Sequence, residues 1–252
     1  LILPGLLMNQ NRLRTYQYIG LLDKIRSGDL EKVMGIGAIV VFGGIGDSFN
    51  QVNPALFYNS MYTKAFDALK DDFANCTLLL DEALSSKSES VLICSAIGDP
   101  VSSLLPQAPF SPLMFPLTNK SNNLSLIGNP GYVTINGKSI CFVDGAIIQD
   151  FIYQSDLSFE HSVELLINLR HLAPSTPNSL ECYPYSGKDP FVLDCLPDYL
   201  FVSGAPEFRH KAIYTQCGKF LTTCVLMPDF FKSGQVYSID LSSDDVQTIS
   251  FN

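Results

Sequence analysis

Ala38-Ile39-Val40-Val41-Phe42-Gly43-Gly44 is a largely β-branched apolar run closed by two glycines. A short run with no polar alternation reads as a strand buried on both faces, the situation of a parallel strand covered by helices. Leu1-Ile2-Leu3 before Pro4-Gly5 and Val91-Leu92-Ile93-Cys94 before Ser95-Ala96-Ile97-Gly98-Asp99-Pro100 repeat the pattern. Helical periodicity fills the gaps. Asn9 to Gly28 carries Leu13, Tyr16, Ile19/Gly20 and Leu22 at helical spacing, with Gly28 as its stop. Asn53-Pro54 opens a second helical stretch, Ala55 to Lys70, and a third runs up to Ser85, before the polar break Ser85–Ser90. Strand, helix, strand, helices, strand implies parallel strands with crossover helices, and ligand contacts at the C-terminal strand ends.

The texture changes after Pro100. Pro106, Pro109, Pro112 and Pro116 mark an extended loop. Short strands follow at Leu124–Ile127, Gly131–Ile135 and Lys138–Val143, the last two joined by Asn136-Gly137, a strong hairpin signal. One helix is expected from Ser158 as N-cap, with Phe159, Val163, Leu166 and Ile167 as its apolar stripe. Further strands are expected at Leu200–Ser203, Phe220–Met227 and Gln235–Leu241. The sequence predicts one α/β domain over 1–252, a two-sheet β-sandwich flanked by helices.

Of the 252 residues, 46% are apolar and 16% charged, against about 25% charged in an ordinary domain. A disordered chain has the opposite balance. So little charge suits a subunit that hides part of its surface against partners. No apolar run reaches the ~18 residues of a membrane span. The net charge is −9, with 16 basic residues against 25 acidic ones. Direct binding of phosphates needs a basic face, so contact with nucleic acid is expected through a partner only. The seven cysteines include no Cys-x-x-Cys pair, which argues against a zinc knuckle and a disulfide framework, and places the chain in a reducing compartment. Cys94 and Cys141 sit inside apolar runs and read as small buried hydrophobes. The chain opens inside an apolar run without an initiator Met, which reads as a piece of a longer protein.

Strands ending in glycine turns at Gly5, Gly43-Gly44 and Gly98-Asp99 suggest the frame of a binuclear metallophosphoesterase. Such a site holds two cations ~3.5–4 Å apart on Asp, His and Asn side chains at strand ends. Its motifs, Asp-x-His, Gly-Asp-x-x-Asp, Gly-Asn-His-Asp and Gly-His-x-His, are missing. The three histidines, His161, His171 and His210, stand alone, and none has a His, Cys or Asp at ligand spacing. Asp47, Asp99 and Asp144 lie near glycines in the turns, and read as turn formers and helix caps rather than ligands. No catalytic, cofactor or metal site residue is assigned. Gly43-Gly44-Ile45-Gly46-Asp47 has neither the Gly-Lys-Ser/Thr of a P-loop nor dinucleotide-binding spacing. No Gly-x-Ser-x-Gly elbow occurs. His161 reads as solvent-facing on its helix, and His171 as that helix's end.

The stretch Arg170-His171-Leu172-Ala173-Pro174-Ser175-Thr176-Pro177-Asn178-Ser179-Leu180-Glu181-Cys182-Tyr183-Pro184-Tyr185, then Lys188-Asp189-Pro190-Phe191, resembles the small (B) subunits of DNA polymerase delta. Their pattern runs Arg-His-hydrophobic-x-Pro-Thr-x-Pro-Asp-x-Leu-x-Cys-Tyr-Pro-Phe, then Asp-Pro-Phe. Asp99-Pro100 with Leu105-Pro106-Gln107, Met114-Phe115-Pro116-Leu117, Asn129-Pro130 with Thr134-Ile135, and Tyr199–Phe208 fit further segments in order. The likeness covers nearly all of 91–252 and continues in register, more weakly, before that. The small subunits of polymerases alpha and epsilon fit 170–191 less well.

The resemblance implies a calcineurin-like phosphoesterase domain that is catalytically degenerate, without its metal site and without cofactors. Archaeal relatives keep the ligands and are nucleases; where they carry His before a Gly, this chain has Asp144, and their Gly-His-x-His turn is here Gly204-Ala205-Pro206-Glu207. It implies a nuclear, non-catalytic scaffold of a replicative polymerase, bound to the C-terminal cysteine-rich domain of the catalytic subunit and to a third accessory subunit. The family's preceding OB-fold is not in these residues. The rival reading is a metal-dependent phosphoesterase or nuclease with a reduced site at Asp47, Asp99 and Asp144. The 170–191 segment itself reads as a rigid irregular connection: four prolines fix its backbone, and Cys182, Tyr183, Tyr185 and Phe191 supply apolar bulk.

Overall fold

The computed structural model describes residues 1–6, 12–30, 35–44, 74–214 and 218–251. Two mixed sheets pack face to face with helices on both outer sides. The first sheet, of six strands, has the order β11-β10-β1-β2-β3-β4. Its parallel centre is β1 (Ile2–Pro4), β2 (Ala38–Phe42), β3 (Ser90–Cys94) and β4 (Leu124–Ile127), and the hairpin β10 (Gln235–Asp240) and β11 (Asp245–Ser250) joins antiparallel to β1. The second sheet has the order β5-β6-β7-β9-β8, from β5 (Gly131–Ile135), β6 (Lys138–Val143), β7 (Tyr199–Val202), β8 (Arg209–Tyr214) and β9 (Phe220–Leu226).

Strand alternation builds the layers. Ile2, Val40 and Leu92 stand opposite one another in register and face the other sheet, while Leu3, Val41 and Ile93 face outward. In the second sheet, Phe142, Phe201 and Val225 form the inward row, and Cys141, Leu200 and Cys224 the outward one. The Phe42 and Phe142 rings meet edge to face across the sheets at 5.4 Å, and Phe142 stacks on Phe201 at 5.4 Å. Because both faces of these strands are buried, they read as unbroken apolar runs.

Helix α1 (Arg12–Ser27) and α2, described over 74–85, cover the first sheet; α3 (Gly145–Ser155) and α4 (Phe159–Leu169) cover the second. A short α5 (Phe230–Ser233) precedes β10. Asn136 and Gly137 both take positive φ, 50° and 77°, as a tight hairpin turn requires.

Several expectations shift. On α1 the buried stripe is Tyr18, Leu21, Leu22 and Ile25, whereas Tyr16 and Ile19 are exposed. Two helices, not one, follow β6, because the apolar run through Ile140–Ile148 hides the switch from strand to helix. Asp144 makes that switch: its Oδ1 accepts the Ala146 amide at 2.9 Å and caps α3. Strands β8 and β11 carry the exposed polar residues of edge strands, and so show no apolar run. The expected helix over 55–70, Asp47 and Cys217 lie outside the described residues.

Candidate functional site

The parallel strands of both sheets end on one side of the sandwich, where chemistry would be expected. Six strand ends close into a ring there. The Gly5 amide donates to the Phe42 carbonyl at 2.9 Å, and Gly43 to Cys94 at 2.9 Å. Asp99 Oδ2 then accepts two amides, Gly44 at 3.2 Å and Ala96 at 2.8 Å. Asp144 Oδ2 takes the next one, Ile97, at 2.5 Å, while its Oδ1 caps α3. So Asp99 ties the β2 loop to the β3 loop, and Asp144 ties one sheet to the other.

The remaining gaps are closed by contact. A Cβ on Gly145 would collide with the Ser203 carbonyl, and one on Gly5 with the Asp229 carboxylate. Gly5 also has φ +49°, so glycine is required there on two counts. Asp229 pairs with Lys232 at 2.9 Å. Behind the ring runs a buried polar chain. Asn129 Oδ1 accepts the Asp144 amide at 3.1 Å, Asn129 Nδ2 donates to Gln107 Oε1 at 2.8 Å, and Gln107 Nε2 donates to the Ser102 carbonyl at 3.0 Å. Such a network holds a loop rigidly when its members are satisfied.

The histidines stand elsewhere. His161 Nδ1 bonds Ser158 Oγ at 2.9 Å, His171 Nε2 meets Asp189 at 3.1 Å, and His210 Nε2 meets Asp244 at 3.3 Å. Among the described residues no three His, Cys, Asp or Glu side chains gather as metal ligands. Among the described residues the donors do not suit a two-cation centre: the carboxylates of Asp99 and Asp144 already face backbone amides, and Asp229 faces a lysine. Asp99 and Asp144 were legible in the sequence as turn and cap residues. Gln107 and Asn129 enter the sequence reading only as members of the Leu105-Pro106-Gln107 and Asn129-Pro130 segments, with no role attached, and Asp229, one Asp after Met227-Pro228, carries no motif.

The 170–191 segment packs on the α3–α4 side of the second sheet. Leu172 donates to the Phe191 carbonyl at 2.9 Å and Leu193 to that of Arg170 at 2.8 Å, clasping its two ends. Its middle pairs with the proline-rich loop, Leu105 to Glu181 and Tyr183 to Leu105, both at 3.0 Å. Phe191 is 1% exposed in the core, whereas Tyr183 is 40% exposed and bonds Ser102 Oγ at 2.7 Å.

Fold and site together define an α/β protein with two mixed sheets flanked by helices, whose strand-end ring is knitted by its own hydrogen bonds. The family model of the DNA polymerase alpha/epsilon B subunits matches residues 3–210, and the chain belongs to that family. It is 26% identical over 255 residues to the DNA polymerase delta small subunit of Arabidopsis thaliana, covering 100% of this chain and 57% of that protein. The delta small subunit of Oryza sativa is 25% identical over 98% of this chain and 58% of its own length. That of Saccharomyces cerevisiae is 28% identical over 66% of this chain and 40% of its own. The chain thus spans little more than half the length of the two plant relatives.

Proposed function

We propose that residues 1–252 are one inactivated, calcineurin-like phosphoesterase domain serving as a non-catalytic subunit of a delta-type replicative DNA polymerase in the nucleus. In this reading it binds the C-terminal cysteine-rich domain of the catalytic subunit and a third accessory subunit, and reaches DNA through the assembled complex. The observation that carries the reading is the ring of strand ends, where Asp99 and Asp144 bond backbone amides instead of standing ready for cations. Family membership supports the polymerase context. The net charge of −9 supports indirect contact with DNA, since a negative domain is repelled by phosphates. The test is affinity purification of the full-length protein at moderate salt. Stoichiometric recovery of a polymerase catalytic subunit is expected; recovery of none, together with salt-sensitive, sub-micromolar duplex binding by the isolated domain, would overturn the reading.

A further inference from the structure

Two hydroxyl residues of the chain are followed directly by proline, in Ser111-Pro112 and Thr176-Pro177, and each has another proline two residues upstream, Pro109 and Pro174. Pro-x-Ser/Thr-Pro is the pattern that proline-directed protein kinases read. Its physical content is an extended backbone. A proline fixes its own φ at about −65° and pushes the residue before it out of the helical region, so the hydroxyl sits on a stretch already close to the shape a kinase cleft accepts. In sequence the two sites are equivalent. The fold makes them unequal.

We propose that Ser111 is a phosphorylation site for a proline-directed serine/threonine kinase, and that Thr176 in the folded chain is not. Ser111 is exposed together with Pro109, Pro112 and Leu113, the last to 88%. Its backbone is extended, at φ −69° and ψ 135°. The Ser111 Oγ accepts the Leu113 amide at 3.4 Å, a long bond, and among the described residues its O–H donates to no partner. That hydroxyl can therefore turn to an incoming phosphoryl group without giving anything up. Thr176 is half-buried and committed: its Oγ1 donates to the Ala173 carbonyl at 2.7 Å, and its amide donates to the same carbonyl at 3.2 Å. Presenting the Thr176 hydroxyl to a kinase means opening both bonds.

The proline-rich loop holds Ser111 on a tip with anchored sides. Phe110 and Phe115 are buried in the core under the first sheet's helices, with their rings edge to face at 6.0 Å. Between them the chain makes one 3-10 turn over Pro112–Met114, held by the Met114 amide on the Ser111 carbonyl at 3.0 Å and the Phe115 amide on that of Pro112 at 3.1 Å. A single 3-10 turn has poor bond geometry and opens at little cost. In the transfer, Ser111 Oγ bonds the γ-phosphorus of ATP, the bond from that phosphorus to the ADP oxygen breaks, and the hydroxyl proton passes to the kinase's catalytic carboxylate. The product carries about −1.5 to −2 charge, two residues from Leu113. An exposed apolar tip thereby becomes an anionic one. The inference goes beyond the subunit reading and draws on this loop alone.

The test is incubation of the full-length protein with a recombinant mitogen-activated protein kinase and ATP, with phosphate located by peptide mass mapping. Free peptides covering 105–117 and 170–182 serve as controls, and both are expected to accept phosphate, since each carries the pattern without the fold. In the folded protein phosphate is expected on Ser111 and not on Thr176. Ser111→Ala is expected to leave the tryptic peptide 88–120 unmodified, Pro112→Ala to remove most of the phosphate while keeping the serine, and Thr176→Ala to leave Ser111 modified as in wild type. Absence of phosphate on Ser111 of the folded protein, phosphate on Thr176 of the folded protein, or an undiminished yield on 88–120 in Ser111→Ala would each overturn the proposal. Full modification of Ser111 in Pro112→Ala would overturn the proline-directed class. Mapping on wild type places the phosphate whether or not a variant folds, and recovery of a polymerase subunit remains a separate result.

Discussion

The Asp99 carboxylate and the Gly44 amide, 55 residues apart in sequence, meet at 3.2 Å and join the loops that follow β2 and β3. The same oxygen takes the Ala96 amide at 2.8 Å, and Asp99 is 6% exposed. A side chain in this position acts as a strap. Asp99→Ala leaves buried amides without that acceptor, and each such loss costs about 1–3 kcal/mol. The expected result is a lowered urea midpoint and no hydrolysis of phosphodiesters or phosphomonoesters with manganese, in wild type and variant alike. Manganese-dependent hydrolysis that Asp99→Asn abolishes without moving the urea midpoint would refute the strap.

A second strap lies on the helix side of the first sheet. Asp81, fully buried on α2, accepts the Leu117 and Thr118 amides at 2.8 Å each and the Thr118 hydroxyl at 2.6 Å. It anchors the end of the proline-rich loop. Asp81→Ala takes the acceptor from two amides, while the Thr118 hydroxyl keeps the Asp81 carbonyl at 3.2 Å, and a loss of about 2–4 kcal/mol is expected. Thr118→Val removes only the hydroxyl and should cost roughly 1 kcal/mol. Equal effects of the two in denaturant titrations would contradict the assignment.

What the sequence reveals follows from where each residue is buried. Ala38–Phe42 and Ile140–Val143 are legible because a strand packed on both faces cannot alternate, and the Asn136-Gly137 turn carries the second back to the exposed Lys138 and Ser139. β8 and β11 are edge strands that pack on one face or less, so Arg209–Tyr214 and Asp245–Ser250 look like loops. On α1, Tyr16 and Ile19 fit the helical period but fall on the outer face, a choice that period alone cannot make. At the strand ends, the lack of imidazoles is plain in the composition. The work of Asn129 and Gln107 is not, since neutral amides bond backbone in any context, and only the fold brings those two together.

Phe191 and Tyr183 separate core from surface within the 170–191 segment. The Phe191 ring is buried against the α3–α4 cluster, so Phe191→Ala is expected to cost about 3–5 kcal/mol. Tyr183 contributes an exposed bond to Ser102, and Tyr183→Ala should cost no more than about 1 kcal/mol. If Tyr183 anchors a partner, its loss lowers complex recovery while thermal unfolding stays put. A larger stability loss at Tyr183 than at Phe191 would show that this segment packs differently.

Thiol reactivity tests the layering. Cys94, Cys141 and Cys224 are buried and free, and burial pushes all three thiols up, Cys141 to about 12. The thiolate is the reactive form, so at pH 8 these three should stay unmodified by a chromogenic disulfide reagent until the protein unfolds. Cys195 is exposed and should react first among the described cysteines. Fast labelling of Cys94 in the native protein, located by peptide mass mapping, would mean that the inter-sheet layer opens.

The last prediction concerns acid. Asp198, in the loop before β7, accepts the Ser139 amide at 2.7 Å and the Ser139 hydroxyl at 2.8 Å, and its own amide donates back to Ser139 Oγ at 2.9 Å. The Ser139 amide first, then its hydroxyl, hold the Asp198 carboxyl below its ordinary value of 3.8. A carboxyl depressed in the folded state stabilises fully above its unfolded value, and the gain is lost as pH falls through the folded one. The pair is solvent-exposed, so the effect is small, about 1 kcal/mol, or a few degrees in Tm for a domain of this size. Asp198→Ala should therefore melt below wild type at pH 7, and the gap should narrow once the pH drops beneath about 4, where wild type protonates too. A gap that stays constant from pH 7 to pH 3 would show that Asp198 contributes through packing and not through its charge.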